Sequence, residues 1–427
     1  MGTGTTRVGD GAAGTGMAAG TAMDAALRRA YREAWPVVVA ATARTTRDLD
    51  LAEDCTQDAF VRALGAWADG VPDNPTGWLT TTARRIALDR LRRETALRRR
   101  FPLLVEPGTG PDAEPEPADP LRLVFTCCHP ALARESQVAL TLRLLCGVDT
   151  AAIASVLLAG EAGVAARITR AKRKIASARI PFRIPDDDEL PARLDTVLTV
   201  VHLLYTAGHV GSGPTLTSTD LTGRAFGLAR MLVRLLPGEP EPRALLGLLL
   251  LTEARTAART DGGGELVLLD EQDRSGWDRR MIAEGLTLAT AALRPDAGHG
   301  RFALQAAVAG LHAVAPSPER TDRALIVTMY DALMRVAPSP VVALNRAAAR
   351  SRVPGADLGA VLADLDALTG DPALARYPYL PAARADVLGR LGRAAEAATA
   401  YDAALALTTN PVERRFLLRR RQTVAGD

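Results

Sequence analysis

The sequence predicts an all-α protein, and two observations carry that prediction. Ala, Leu and Arg dominate, aromatic residues make up only 4%, and runs of β-branched residues are few, a composition that favours helices over sheets. Apolar residues also recur at helical steps, as in Leu51, Cys55, Ala59 and Ala63, or Val164, Ile168, Ala171 and Ile175, so that each set forms one stripe on a helix. With 427 residues, 48% of them apolar, the chain has material for roughly two to four domains. Its formal net charge is only +3, so affinity for nucleic acid has to come from local clustering. The longest apolar runs, such as 244–251, are too short to cross a bilayer. Residues 1–20 lack the apolar core of a secretion signal, and a disordered tail over 1–23 of a cytoplasmic protein is expected.

Residues 48–67 (DLDLAEDCTQDAFVRALGAW) read as a helix with its apolar stripe inward and Glu53, Asp54, Gln57 and Asp58 elsewhere on its surface. Asp50 followed by Glu53 offers a start like a capping box. In 74–94 (NPTGWLTTTARRIALDRLRRE) turn residues and Trp78 lead into a basic helix. Eight arginines between 84 and 100 stand against Asp89 and Glu94, a local charge of +6, which is the electrostatic footprint of phosphate binding. Trp78, Thr80, Thr81 and Thr82 add a stacking ring and short hydroxyls, which suit unstacked bases better than plain solvent. An acidic helix beside so basic a one points to a protein partner as well as DNA.

Residues 101–120 form an acidic linker in which Pro107, Pro111, Pro115, Pro117 and Pro120 break any helix and Glu106, Asp112, Glu114, Glu116 and Asp119 have no basic partner. A helix over Thr150 to Leu158, a turn containing Gly and a second helix within 165–183 then make a helix-turn-helix. The second helix carries Arg167, Arg170, Lys172, Arg173, Lys174, Arg179 and Arg183 with no acid, a local charge of +7, and its apolar stripe leaves these side chains outward. A proline-rich acidic break at 179–194 precedes the Leu/Ala-rich remainder. There Ala348, Gly355, Ala360 and Ala367 recur 37 residues later as Ala385, Gly392, Ala397 and Ala404. Such small residues let paired helices pack closely, as in tetratricopeptide repeats, although an Ala-rich chain also yields such coincidences.

Cys55, Cys127, Cys128 and Cys146 lack CxxC spacing and read as reduced core thiols. Cys127-Cys128-His129 raises a metal reading, but three adjacent side chains on one turn converge poorly on a tetrahedral ion; His202 and His209 offer no more. Glu253 to Asp278 holds seven carboxylates around Gly262, Gly263 and Gly264. It reads as a polar loop pairing with nearby arginines; the rival reading, a metal or hydrolytic site, lacks a His, Cys or nucleophile. No catalytic residue, metal or cofactor is expected.

Together, DLAEDCTQDAFVRA, GWLTTTARRIALDRLRR and the terminal helix-turn-helix resemble the extracytoplasmic-function type, group IV of the sigma-70 family, of bacterial RNA polymerase sigma factor. The resemblance covers about residues 24–180. FTCCHPALARESQVALTLRLLCG, RAKRKI, GELVLLDEQDRSGWDRRMIAEG and AYDAALALTTNPVERRFL look like the subgroup with a C-terminal tetratricopeptide-like extension. It implies sigma domain 2, a helical bundle, over 24–100; the linker over 101–120; sigma domain 4 with the helix-turn-helix over 121–181; and the helical extension over 182–427. It also implies that Asp54, Gln57, Asp58 and Phe60 dock on the clamp helices of core RNA polymerase. Trp78, Thr81, Arg84, Arg85, Asp89, Arg92 and Arg93 would face the −10 element, many relatives carrying Asn where Arg85 stands. Arg167 and Arg170 would reach base edges of the −35 element, and Lys172, Arg173 and Lys174 its phosphates. Such a chain is not an enzyme: it directs transcription initiation, and its extension serves regulation through a protein partner, with no membrane involved. The alternative is a helix-turn-helix regulator with a repeat sensor that acts without polymerase.

Overall fold

The computed structural model describes residues 30–31, 33–68, 70–98, 119–157, 159–209, 219–293 and 299–426. The expected tail over 1–23, Arg99, Arg100 and most of the expected linker lie outside them. The architecture is all-α, as the composition predicts; among the described residues the one β-pairing is an isolated antiparallel bridge between Thr260 and Leu266. The chain divides into two compact units, 1–200 and 201–427.

The first unit contains α1 (33–46), α2 (Leu49–Ala66), α3 (Pro75–Arg98), α4 (Asp119–Cys127), α5 (Arg134–Leu140) running on into a π turn (Thr141–Leu145), α6 (Thr150–Val156) and α7 (Glu161–Ser177). The stripe of α2 is buried as predicted at Cys55, Ala59 and Ala63. Its cap differs from the expectation: Asp48, not Asp50, accepts from the backbone N–H groups of Asp50 (2.8 Å) and Leu51 (3.0 Å), because Glu53 is drawn into the interior. Asn74 caps α3 by accepting from Gly77 N (2.9 Å), with Pro75 in the first turn, where its missing N–H costs nothing.

The segments 24–100 and 121–181, read as separate domains, share one core. Tyr31, Trp35 and Phe60 cluster with ring centroids 4.8 to 5.8 Å apart. Trp35 Nε1 donates to Leu144 O (3.0 Å) and Tyr31 Oη to Gly147 O (3.1 Å). Gly147 has φ +63°, and a Cβ there would stand 2.8 Å from Tyr31 Cε1, so conformation and close approach both demand glycine. Asp119, expected in the linker without a basic partner, instead opens α4; it is fully buried and pairs with Arg44 (3.2 Å) and Arg122 (2.8 Å).

Helix α8 (Leu190–His209) contains the division between the units. The second unit continues with α9 (Thr219–Leu235), α10 (Pro240–Glu253), α11 (Arg279–Ala292), α12 (Arg301–Val314), α13 (Arg323–Val336), α14 (Pro340–Ser351), α15 (Leu358–Ala367), α16 (Tyr379–Arg390), α17 (Ala394–Leu407) and α18 (Pro411–Ala425). The 37-residue offset falls on two helical hairpins, α14–α15 and α16–α17, whose turns hold Gly355 and Gly392 at φ +74° and +75°. Gly247 of α10 faces Gly285 of α11 so closely that a Cβ at Gly247 would lie 2.9 Å from Gly285 O.

Gly247→Ala is expected to cost about 1–3 kcal/mol, since the obstacle is backbone and cannot swing aside; a calorimetric melt of the full chain reads this as a lowered transition. His202, edge-on to Phe302, and His312 are both held to about pKa 4, chiefly by burial. Their folded values lie below the unfolded one, so the unfolded chain binds more protons in between. Stability of the second unit therefore falls as pH drops from about 6.5 toward about 4. Calorimetry at pH 7 and 5 checks this, with a smaller drop expected in a His202→Gln, His312→Gln double variant.

Candidate nucleic-acid and polymerase interface

The predicted stripe of α7 is buried at Val164, Ile168, Ala171 and Ile175, which turns Arg170, Arg173 and Lys174 to solvent and leaves Arg167 half-buried. Lys172 departs from that expectation. It points inward, with its ammonium 2.7 Å from Asp50 Oδ1 and 2.7 Å from Glu53 Oε2. Glu53 Oε1 also accepts from Arg143 Nε, which the π turn delivers beside it. A buried ammonium is tolerated only when carboxylates compensate its lost hydration. Burial lowers the pKa of Lys172, but the Glu53 charge and the hydrogen bonds to Asp50 and Glu53 outweigh this and raise it. In this arrangement Lys172 is not presented to a phosphate.

On α3, Thr81, Arg85, Asp89, Arg92 and Arg93 are exposed, Asp89 lying 3.7 Å from Arg92. Trp78 is half-buried and edge-on to Trp67 at 5.6 Å. On α2, Asp54 is exposed and Gln57 and Asp58 half-buried. Arg90 of α3 pairs with Asp58 (2.6 Å) and approaches Asp54 (3.9 Å), while Gln57 donates to Glu53 (3.1 Å). Phe60, expected at a partner surface, is 7% exposed and belongs to the aromatic core. The apolar side chains that α2 shows to solvent are Val61 (65% exposed) and Leu64 (50%). They follow Asp54 and Asp58 at helical steps and form one face with them; the sequence pattern hides both because their spacing overlaps that of the buried stripe.

A cleft of about 840 Å³ opens between α1, α3, α4 and the end of α7, lined by Arg44, Arg47, Arg84, Arg122 and Arg179 and, among the described residues, by no carboxylate. Arg47 and Arg179 hold φ +55° and +50°, a conformation that costs non-glycine residues free energy and concentrates at functional sites. Of these five only Arg84 and Arg179 stood in the predicted basic clusters. Arg44, Arg47 and Arg122 are scattered in sequence and meet through tertiary packing alone.

All four cysteines are buried and free, and burial pushes Cys55 and Cys128 up to about 11. Among the described residues no group of three or more His, Cys, Asp or Glu side chains is placed to hold a metal ion. Six of the seven carboxylates of 253–278 are engaged. Glu253 accepts from Tyr205 Oη (2.9 Å); Glu265 binds Arg415 (2.7 Å) and Arg419; Asp270 binds Arg323 (3.1 Å); Asp261, Asp273 and Asp278 cap turns and α11.

Residues 30–96 match the family model described as sigma-70 region 2, and residues 193–293 match a family of unknown function, DUF6596. An uncharacterized protein of Rhizobium meliloti (strain 1021), R00370, is 42% identical over 397 residues, 90% of this chain and 92% of its own length. No solved structure matches. The chain belongs to one family with that protein and, through region 2, to the sigma-70 family of sigma factors. It is thus a protein of transcription initiation, whose region 2 implies interaction with core RNA polymerase and promoter DNA. No described helix is long and apolar enough to cross a membrane.

Glu53→Ala leaves Lys172 and Arg143 without their shared carboxylate and is expected to cost about 3–5 kcal/mol. Asp50→Ala removes a carboxylate that is 66% exposed and is expected to cost less than about 1 kcal/mol. Urea melts followed by tryptophan fluorescence separate the two, since Trp35, Trp67 and Trp78 all lie in the first unit.

Proposed function

We propose that the chain is an alternative sigma factor of the extracytoplasmic-function type, with a tetratricopeptide-like regulatory extension. It binds core polymerase, contacts the −35 and −10 elements and assists melting by capturing an unstacked base. The observation that carries this reading is the pair of outward basic faces on α3 and α7 in the unit that holds the region 2 match. On α3, Arg85, Arg92 and Arg93 hold phosphates near the −10 element, Thr81 and Asp89 lie at the exposed strand, and Trp78 leaves Trp67 to stack on a base. Arg84 contributes from the cleft.

On α7, Arg167 and Arg170 read base edges of the −35 element, with Arg173 and Lys174 on its phosphates. Lys172 joins them only after its ion pairs with Asp50 and Glu53 are given up. The face of α2 made by Asp54, Gln57 and Asp58, extended by Val61 and Leu64, receives the polymerase clamp helices, while Phe60 acts from within by holding the core beneath. The compact first unit is then a resting arrangement that opens when polymerase and promoter compete for α2 and α7.

Run-off transcription with core polymerase tests the reading. The chain is expected to direct initiation at a cognate promoter; duplex binding with no polymerase complex would instead mark a polymerase-independent regulator. Arg167→Ala and Arg170→Ala are each expected to relax −35 preference by about 1–3 kcal/mol at the base that the arginine reads. Asp54→Ala with Leu64→Ala weakens core binding without changing the melt, whereas Phe60→Ala lowers the melt itself by about 3–5 kcal/mol.

A further inference from the structure

The cleft of the first unit gathers positive charge that is only partly balanced from within. Arg44, Arg47, Arg84, Arg122 and Arg179 line it. Asp119 lies fully buried beside Arg44 (3.2 Å) and Arg122 (2.8 Å), so one carboxylate fixes two guanidinium groups and compensates one of them. Arg47 and Arg179 are exposed, and neither side chain makes an ion pair or hydrogen bond among the described residues.

The backbone at these two arginines is also unusual. Arg47 follows α1 and Arg179 follows α7, each in the left-handed conformation, with φ +55° and +50°. Arg47 N donates to Ala43 O (2.8 Å), and Ile180 N to Ile175 O (3.0 Å). These are the bonds of a left-handed helix cap, a position that glycine fills at no steric cost. Both caps carry an arginine instead, and both arginines line the same cleft. The rest of the lining is largely apolar and includes Leu49, Ile175, Ile180, Pro181 and Phe182. The Phe182 ring is half-buried and meets no other ring among the described residues.

We propose that the cleft binds a nucleoside polyphosphate, with its phosphate chain among the arginines and its base against Phe182. A volume of about 840 Å³ falls within the roughly 300–1,000 Å³ of small-molecule sites. Guanidinium forks suit phosphate oxygens bidentately, and several of them at one place call for several adjacent charges. A simple monoanion would balance only one. A nucleic-acid strand carries one phosphate per nucleotide, whereas a polyphosphate concentrates its charge within a single small cleft. An inorganic chain would leave the Phe182 ring and its apolar neighbours unused, while a base has the π-face that stacks on such a ring. Because the arginines come from α1 and α3 as well as α4 and the end of α7, a bound ligand stabilises the compact arrangement that brings them together. Arg84 is shared with the proposed −10 contact, so occupancy would compete with promoter DNA; that consequence rests on the promoter reading, whereas binding does not.

The test is isothermal titration calorimetry of the full chain in about 0.15 M salt, where exposed charges are well screened, with ATP, inorganic tripolyphosphate and adenosine as probes. ATP is expected to bind saturably at one per chain, tripolyphosphate more weakly and adenosine not at all. Arg47→Gln with Arg179→Gln is expected to weaken both phosphate probes at least about tenfold, or roughly 1.4 kcal/mol, with the melt unchanged. Phe182→Ala is expected to weaken ATP about fivefold or more and to leave tripolyphosphate as it was, which separates loss of stacking from loss of fold. Three results would overturn the proposal: no saturable ATP binding, unchanged affinity in the double arginine variant, or equal binding of ATP and tripolyphosphate in both the parent and Phe182→Ala. Absence of ATP binding together with binding of a single-stranded oligonucleotide that the double arginine variant loses would make the cleft a path for a strand instead. Binding is read without polymerase or promoter, so its failure is distinct from failure of the promoter role.

Discussion

The buried ammonium of Lys172 is the constraint on which the first unit is organised. Such a group is stable inside a protein only if carboxylates meet it with good geometry. Glu53 and Asp50 do so from α2, each at 2.7 Å, and Glu53 is shared with Arg143 on the π turn. Three sequence-distant elements are thereby fixed to one another: the helix proposed to meet polymerase, the turn that also receives the Trp35 hydrogen bond, and the proposed recognition helix. The apolar stripe of α7 seats the helix, and the ion cluster fixes which lysine faces inward.

This explains which parts of the fold were legible in the sequence. Stripes with helical spacing, such as Val164, Ile168, Ala171 and Ile175, are local and survive into the structure unchanged. So does the outward basic face they imply, except at Lys172. Position alone puts Lys172 beside Ala171 and Arg173, and nothing in the local pattern says that two acids about 120 residues upstream will claim it. Glu53 was misassigned to a surface face for the same reason, and Asp119 to a solvated linker. Phe60 lies in the core while Val61 and Leu64 face solvent, because an apolar residue on an amphipathic helix shows its period more clearly than its side. The arginine cleft is legible only in three dimensions, since Arg44, Arg47 and Arg122 belong to no charge run.

The second unit follows the same electrostatic rule. Nearly every acid in the 253–278 connection finds a cation or caps a turn, which accounts for a carboxylate-rich segment without invoking chemistry. The recurring Gly355 and Gly392 turns were visible in the sequence as an offset.

The central claim, that Lys172 is withdrawn by α2 in the free protein, has a direct measurement built into the composition, because Lys172 and Lys174 are the only lysines in the chain. Acylation of the full chain with an amine-reactive ester, read by mass spectrometry, compares a buried, paired ammonium with an exposed one two residues away on the same helix. The account predicts that Lys174 reacts about tenfold or more faster than Lys172 in the free chain. It also predicts that the difference shrinks when core polymerase is bound. Equal reactivity of the two lysines in the free, folded chain would contradict it.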